Sequence, residues 1–575
     1  MRGVWAVLLT VALGVSAFTA EAGDGTSAGD SGVTVGSAPT AAENAKEVVK
    51  LESSASESEV QDLRSLVEEQ RAELKAQQLR IEALEEKLGA TGSEPAPTTA
   101  AISSASGPAT LIASITPISS ATVTSASPAV RPAQEENQEV SPLQMRIGSA
   151  YITPVGFMDF TGVYRSRNQG TGIGTNFAGL QYGDTFNTHL SELRESMQNS
   201  RIGFRVDAVV KGAHVIGYME SDFLGNNPGN VAVSSNSNTL RSRLYWVDVE
   251  KAKWEVLGGQ TWSLITPGRT GISPLPANVF FTQDMDVNYQ AGLVWGRIPE
   301  LRFVVRPINK VAFAVALDSP EQYIGGSAGG PTITFPTALT GLSGTQLNNG
   351  NTTLSTPNAA PDFIAKLALD PVSRFHFEIG GLVRDFKVWN SLPPPSGTTF
   401  PKVGAGGFVN VNAELFRGFR LLTNNFWADG GGRYIFGQVP DLILRADDTL
   451  SPIKAASTVS GIEFSHRSSL LFAYYGGIYA YRNLALDANG LTVIGYGVPT
   501  SSSQNRTVQE ETLGINQTIW GNPRYGALNF IGQYSHVTRN PWATLPSPNP
   551  PNAHVDMLFL DLRYTLPGSA PTLGN

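Results

Sequence analysis

From about Met145 to the C-terminus the chain repeats one figure: a stretch of alternating apolar and polar residues, a very short turn, a second such stretch, then a long polar loop. A period of two puts successive side chains on opposite faces of a strand, the pattern expected where one face meets hydrocarbon and the other water. In Arg201–Val210, Ile202, Phe204, Val206, Ala208 and Val210 share one face, and Arg201, Gly203, Arg205 and Asp207 share the other. A slip of one residue would carry three charges into lipid, at roughly 2 to 4 kcal/mol for each basic group at the bilayer midplane, so the pattern fixes its own register. Hydrophobic residues make up 41% of the chain without any internal run long enough for a spanning helix. The fold class this implies is an all-β transmembrane barrel.

Bacterial barrels place short turns on the periplasmic side and long loops outside, so connection lengths give both strand number and orientation. The predicted strands are 155–164, 201–210, 214–223, 240–249, 254–262, 299–306, 310–318, 363–369, 374–386, 407–416, 419–427, 459–465, 470–481, 509–519, 525–537 and 555–566. Short turns at Lys211-Gly212, Glu250-Lys251, Ile308, Asp370-Pro371, Arg417-Gly418, Arg467-Ser468 and Asn522 join them in pairs. The count closes at 16 antiparallel strands with both ends periplasmic. Val287, Tyr289, Ala291, Leu293 and Trp295 also alternate, and are assigned to the return limb of the third loop. Counting that segment and the 427–438 region as strands gives 18, the alternative. Tyr164, Trp246, Trp254, Trp262, Phe386 and Tyr564, at strand ends, are expected at the lipid interfaces, which argues against a soluble β-sandwich or solenoid.

The region ahead of the barrel divides into four. Residues 1–22 read as a signal peptide, with Arg2, an apolar core and Ala20-Glu21-Ala22 as cleavage site, and 23–47 as a flexible segment. Within 48–88, Val60, Val67, Leu74, Ile81 and Leu88 recur every seventh position, with Leu63, Gln70, Gln77 and Leu84 as their partners, the repeat of a short α-helical coiled coil. The two seam glutamines weaken it, so the coil is expected to rely on the oligomer of the barrel. Residues 89–144, almost wholly Ala, Ser, Thr, Pro and Ile, form a disordered linker, and 145–575 is the outer-membrane β-barrel. As a flexible coil the linker spans on the order of 40 Å, and the helix adds on the order of 45 Å, which puts the coiled coil in the periplasm.

If the apolar faces look outward, the lumen receives Arg201, Arg205, Arg241, Arg243, Arg302, Arg306, Lys366, Arg374, Arg384 and Arg563, opposed by Asp207, Glu220, Asp222, Glu378 and Asp561. Basic groups outnumber acidic ones on this face although the chain carries a net charge of −8, so a preference for anions is expected. Guanidinium forks suit carboxylates, although any one arginine can equally pair with a wall acid. The third loop, 264–296, is unusually apolar at Leu275, Val279, Phe280 and Phe281. Folding back inside the barrel would bury that surface and present Arg269, Gln283, Asp284 and Asp286 to a constriction; packing on a neighbouring subunit is the alternative.

Asn199-Ser200-Arg201-Ile202-Gly203-Phe204, Tyr218-Met219-Glu220-Ser221-Asp222-Phe223, Leu240-Arg241-Ser242-Arg243 and Gly258-Gly259-Gln260-Thr261-Trp262-Ser263 resemble the DcaP-like family of outer-membrane porins. The resemblance covers the first half of the barrel best. It implies a homotrimer of sixteen-stranded barrels with a periplasmic coil and arginine-rich pores for small carboxylates. Phosphate-selective porins also resemble this layout, and a phosphate-selective or sugar-specific porin is the alternative. The end departs from the usual terminal aromatic residue: Tyr564 is followed by Pro567 and a short polar tail.

Catalysis has little support. The six histidines show no zinc-type pair, and no Gly-x-Ser-x-Gly or phosphate loop is present. The chain holds no cysteine, which excludes disulfides, thiolate metal sites and an acylated N-terminal cysteine. No cofactor, metal or nucleic acid is implied. Lipid, small anionic solutes and sister subunits are the expected partners, with the cell wall a further one if the coil serves as a structural tether, the rival to a diffusion channel.

Overall fold

A computed structural model describes residues 141–568 apart from 184, 227–236, 280–281, 327–329, 351–355, 391–396, 437, 500–503 and 543–552, together with Lys75. Lys75 is helical and exposed. The signal, coiled-coil and linker assignments otherwise lie outside the described residues.

Sixteen long strands among the described residues form the wall: β1 (Ala150–Arg165), β2 (Arg201–Val210), β3 (Ala213–Asp222), β4 (Arg241–Lys251), β5 (Trp254–Trp262), β6 (Arg297–Ile308), β7 (Val311–Asp318) and β8 (Asp362–Val372). The second half is β9 (Phe375–Asn390), β10 (Thr398–Phe416), β11 (Phe419–Asp429), β12 (Lys454–His466), β13 (Ser469–Ala480), β14 (Asn505–Asn522), β15 (Gly526–Pro541) and β16 (Ala553–Thr565). Each pairs antiparallel with its neighbour. The ring closes where β16 meets β1, from Phe157↔Thr565 to Arg165↔Met557, while the first half of β1 pairs with β2. Two short strands join this seam: Met145–Ile147 folds back on β1, and Glu192–Ser196 continues the edge of β2 along Thr161–Arg165. The 18-strand alternative is overturned, because 287–295 forms turns and 430–436 leaves the wall.

Strands run past their expected limits where polar flanks hide the alternation. β10 begins at Thr398 rather than near residue 407, because Asn390↔Thr398 continues its ladder with β9. The β2–β3 turn is tight because Lys211 and Gly212 both take positive φ, 50° and 73°, the pair that a two-residue hairpin with strand-matched twist requires.

The two faces separate as the sequence demands. Ile202 and Phe204 point outward, while Asp207, three residues on, is fully buried. Aromatic side chains sit exposed on the outer face near both rims: Trp254, Phe416, Trp520 and Tyr525 by the short turns, Tyr164, Tyr245 and Trp427 by the long loops. Three residues expected there face inward instead. Trp246, Trp262 and Phe386 are 3%, 1% and 1% exposed and pack inside the barrel. The long loops bury a second apolar cluster that includes Ile173, Phe177, Leu180, Tyr434, Ile443 and Tyr496.

Candidate functional site: the lumen and its third loop

The loop between β5 and β6 folds into the barrel and binds the wall almost all the way round. The Gly268 amide donates to Glu378 on β9, and Asn412 on β10 donates to the Arg269 carbonyl at 3.0 Å. Further on, the Gln283, Met285, Ala291 and Val294 amides donate to Tyr474 on β13, Gln533 on β15, Glu510 on β14 and Asn424 on β11. Missing side chains on the wall admit the loop. A Cβ at Gly476 would stand 2.0 Å from the Ala291 carbonyl oxygen, and one at Gly292, whose φ is +83°, would stand 2.6 Å from the Gly477 carbonyl oxygen. Val279 and Leu275 pack on Trp262, Tyr289 and neighbouring aromatics, so part of the loop's apolar surface is covered. Phe280 and Phe281 lie outside the described residues.

The acidic residues of this loop serve it as anchors. Asp286 is 1% exposed and accepts from the Thr175 amide at 3.1 Å and the Asn288 amide at 2.8 Å, tying the first loop to the third. Burial raises its carboxyl despite those donors. Asp284 accepts from Gln533 at 2.7 Å, and burial together with the neighbouring Asp286 pushes it up to about 8. Arg269 does not stand free in a constriction: it grips Glu463 on β12 at 2.6 and 3.0 Å.

Most of the other expected cations are also paired. Arg205 holds Asp207 with two bonds of 2.8 Å. Arg302 pairs with Glu300 and donates to the Trp262 carbonyl, Arg306 pairs with Glu255, and Lys366 lies 3.1 Å from Glu378. Arg384 bridges Asp362 and Asp441 at 3.0 and 2.8 Å, and Arg563 holds Asp159. Arg374 lies in the turn between β8 and β9 and is exposed there, so its expected lumen position is not what the fold provides. The expected excess of basic over acidic groups does not extend over the whole wall. Asp159, Asp248, Glu255, Glu300, Asp318, Glu463 and Glu510 are buried on the inner side as well. Most of them stand singly between apolar neighbours, as Asp248 does between Val247 and Val249, which hides them in the sequence.

One region holds more cations than acids. Arg201 lies 3.6 Å from Glu220; Arg243 takes Glu220 at 2.9 Å and also Asp222; Arg241 takes Asp222 at 2.8 Å. Arg297, not among the residues expected in the lumen, forms no ion pair among the described residues and lies 5.7 Å and 5.6 Å over the rings of Trp262 and Trp295. Four guanidiniums therefore share two carboxylates. Tyr289 of the third loop accepts from Arg243 at 2.9 Å. Burial would push its hydroxyl up, yet Arg243, Arg201 and Arg297 outweigh that and draw it below the usual range, the mark of a positive local field. Arg297 escaped notice because period-two phase breaks at the top of this wall. Gly259, at φ 137° on β5, interrupts the alternation, so that Trp262 faces inward where simple alternation would aim it at lipid, and Arg297, its partner on β6, lies over its ring.

A closed sixteen-stranded antiparallel wall, apolar outside and lined with charge inside, with its third loop folded into the lumen, defines a transmembrane β-barrel of porin architecture. The same fold is found in the outer membrane channel DcaP of Acinetobacter baumannii, with a TM-score of 0.52 at 14% identity over 72% of this chain and 97% of that one. Lower likenesses are to an anion-selective porin from Comamonas acidovorans (TM-score 0.41, 11% identity, 72% of this chain and 99% of that one) and to OmpF of Salmonella typhi (0.40, 10%, 73% and 99%). No protein-family model matches the chain, and no curated protein matches it.

Proposed function

We propose that the protein is an outer-membrane porin, a passive diffusion channel for small hydrophilic solutes with a preference for anions such as small carboxylates. The observation that carries this reading is the cluster of Arg201, Arg241, Arg243 and Arg297, which among the described residues faces Glu220 and Asp222 alone, a local excess of two positive charges beside the inserted third loop. A carboxylate passing this point exchanges hydration for guanidinium donors already oriented by aromatic rings and wall acids. In this reading the barrel assembles as a homotrimer, and residues 48–88 lie in the periplasm as a coiled coil within reach of the cell wall.

Liposome swelling tests the reading. Proteoliposomes are expected to admit a small dicarboxylate faster than a diamine of equal size, and the difference is expected to shrink with added salt. Equal rates, or faster entry of the diamine, would contradict the anion preference. No swelling with any small solute would contradict the channel.

A further inference from the structure

We propose that the inner wall beside the β4–β5 turn holds a divalent-cation site, formed by Asp248, Glu250 and Glu255 and suited to a hard ion such as Ca2+ or Mg2+. One carboxylate oxygen from each of the three lies within 4.8 Å of the others. The strand register creates the arrangement: Glu250 and Glu255 stand directly opposite each other across the hairpin, and Asp248 points the same way two residues up. Like charges directly opposed on a sheet are destabilising, so this pairing needs a positive partner.

Asp248 is the independent observation. It is 1% exposed, its Oδ1 is buried without a hydrogen bond, and it makes no hydrogen bond or ion pair among the described residues. The Oε1 of Glu255, itself fully buried, is also unsatisfied. The cations nearby are otherwise engaged. Arg306 pairs with Glu255 and stands 3.9 Å from Glu250, and Arg302 is held by Glu300 and the Trp262 carbonyl. On the far side Arg205 is bound to Asp207, and His214 lies between Asp207 at 3.2 Å and Glu250 at 3.8 Å. Four carboxylates (Asp207, Asp248, Glu250, Glu255) thus face Arg205, Arg306 and His214, which leaves Asp248 uncompensated even with a charged histidine. An unpaired buried carboxylate is costly, and oxygen-only donors, of which Glu250 alone is partly open at 20% side-chain exposure, match the coordination taste of Ca2+ and Mg2+.

The ion would neutralise an acidic patch near the periplasmic exit and lock the β4–β5 hairpin. Because it depends on no part of the solute reading, it stands or falls by itself. Its test uses the full-length protein in detergent micelles after washing with EDTA, with Tb3+ as the probe. Trp246, buried on the same face two residues before Asp248, serves as the sensitiser. Saturable tryptophan-sensitised Tb3+ emission that Ca2+ displaces is expected, with affinity roughly tenfold or more weaker in Asp248→Asn. Glu250→Gln, at the more open edge of the site, is expected to weaken binding as well and serves if the first variant does not fold. Absence of saturable emission, or unchanged affinity in the folded variants, would overturn the site. The second outcome would mean that Asp248 simply carries a proton.

Discussion

Two arginines of the same cluster play opposite parts. Arg243 is 1% exposed and satisfies Glu220, Asp222 and Tyr289 together; Arg243→Ala leaves Glu220 to Arg201 at 3.6 Å and Asp222 to Arg241 at 2.8 Å, and the lost charge-assisted bonds are expected to cost about 1–3 kcal/mol in barrel stability, read from urea-driven unfolding in vesicles. Arg297 is pinned by rings and strands no acid when removed. Arg297→Ala is therefore expected to leave stability nearly unchanged while lowering the local excess from two charges to one, seen as a reversal potential closer to zero in a salt gradient. Asp284 adds a pH dependence. Its folded pKa, about 8, is raised above the ordinary 3.8, so the folded chain keeps a proton that the unfolded chain has lost between those values. Its contribution to stability accordingly falls as pH rises through that window. The third loop is expected to become more protease-sensitive above pH 8 in the native protein and less pH-sensitive in Asp284→Asn.

At the scale of elements, the third loop depends on the bare backbone at Gly476 as much as on any hydrogen bond. Gly476→Val would drive its side chain into the Ala291 carbonyl, and the loop is expected to leave the wall, with larger and noisier single-channel conductance as the readout. The strands themselves were readable from sequence because lipid enforces strict alternation on their middle residues, and the inward fold of 264–296 was readable from apolar residues that an exposed loop would not carry. What escaped lies where lipid does not act. The strand ends beyond the membrane belt, such as Thr398 at the start of β10, keep pairing with no hydrophobic pattern to mark them. Trp262 lies beyond a positive-φ glycine that breaks the phase, so alternation assigns it, and Arg297 opposite it, the wrong face. Partners from distant strands, such as Glu463 for Arg269, share no local sequence signal at all.

For the whole molecule, the barrel works by holding two incompatible surfaces apart. Ile202, 48% exposed on the outer face, shares a strand with fully buried Asp207. Ile202→Arg is expected to destabilise the inserted barrel by up to about 2–4 kcal/mol, less if the site lies nearer the interface, measured by equilibrium folding into vesicles. The resulting lumen is dense with ion pairs that brace the wall, and under the proposed function a passing anion responds to the arginine cluster beside the third loop rather than to the overall charge of −8. Single-channel recording of the purified protein in a planar bilayer under a tenfold KCl gradient addresses this most directly. Stable conductance steps with a reversal potential displaced toward the chloride equilibrium are expected. Silence, or displacement toward the potassium equilibrium, would contradict the account.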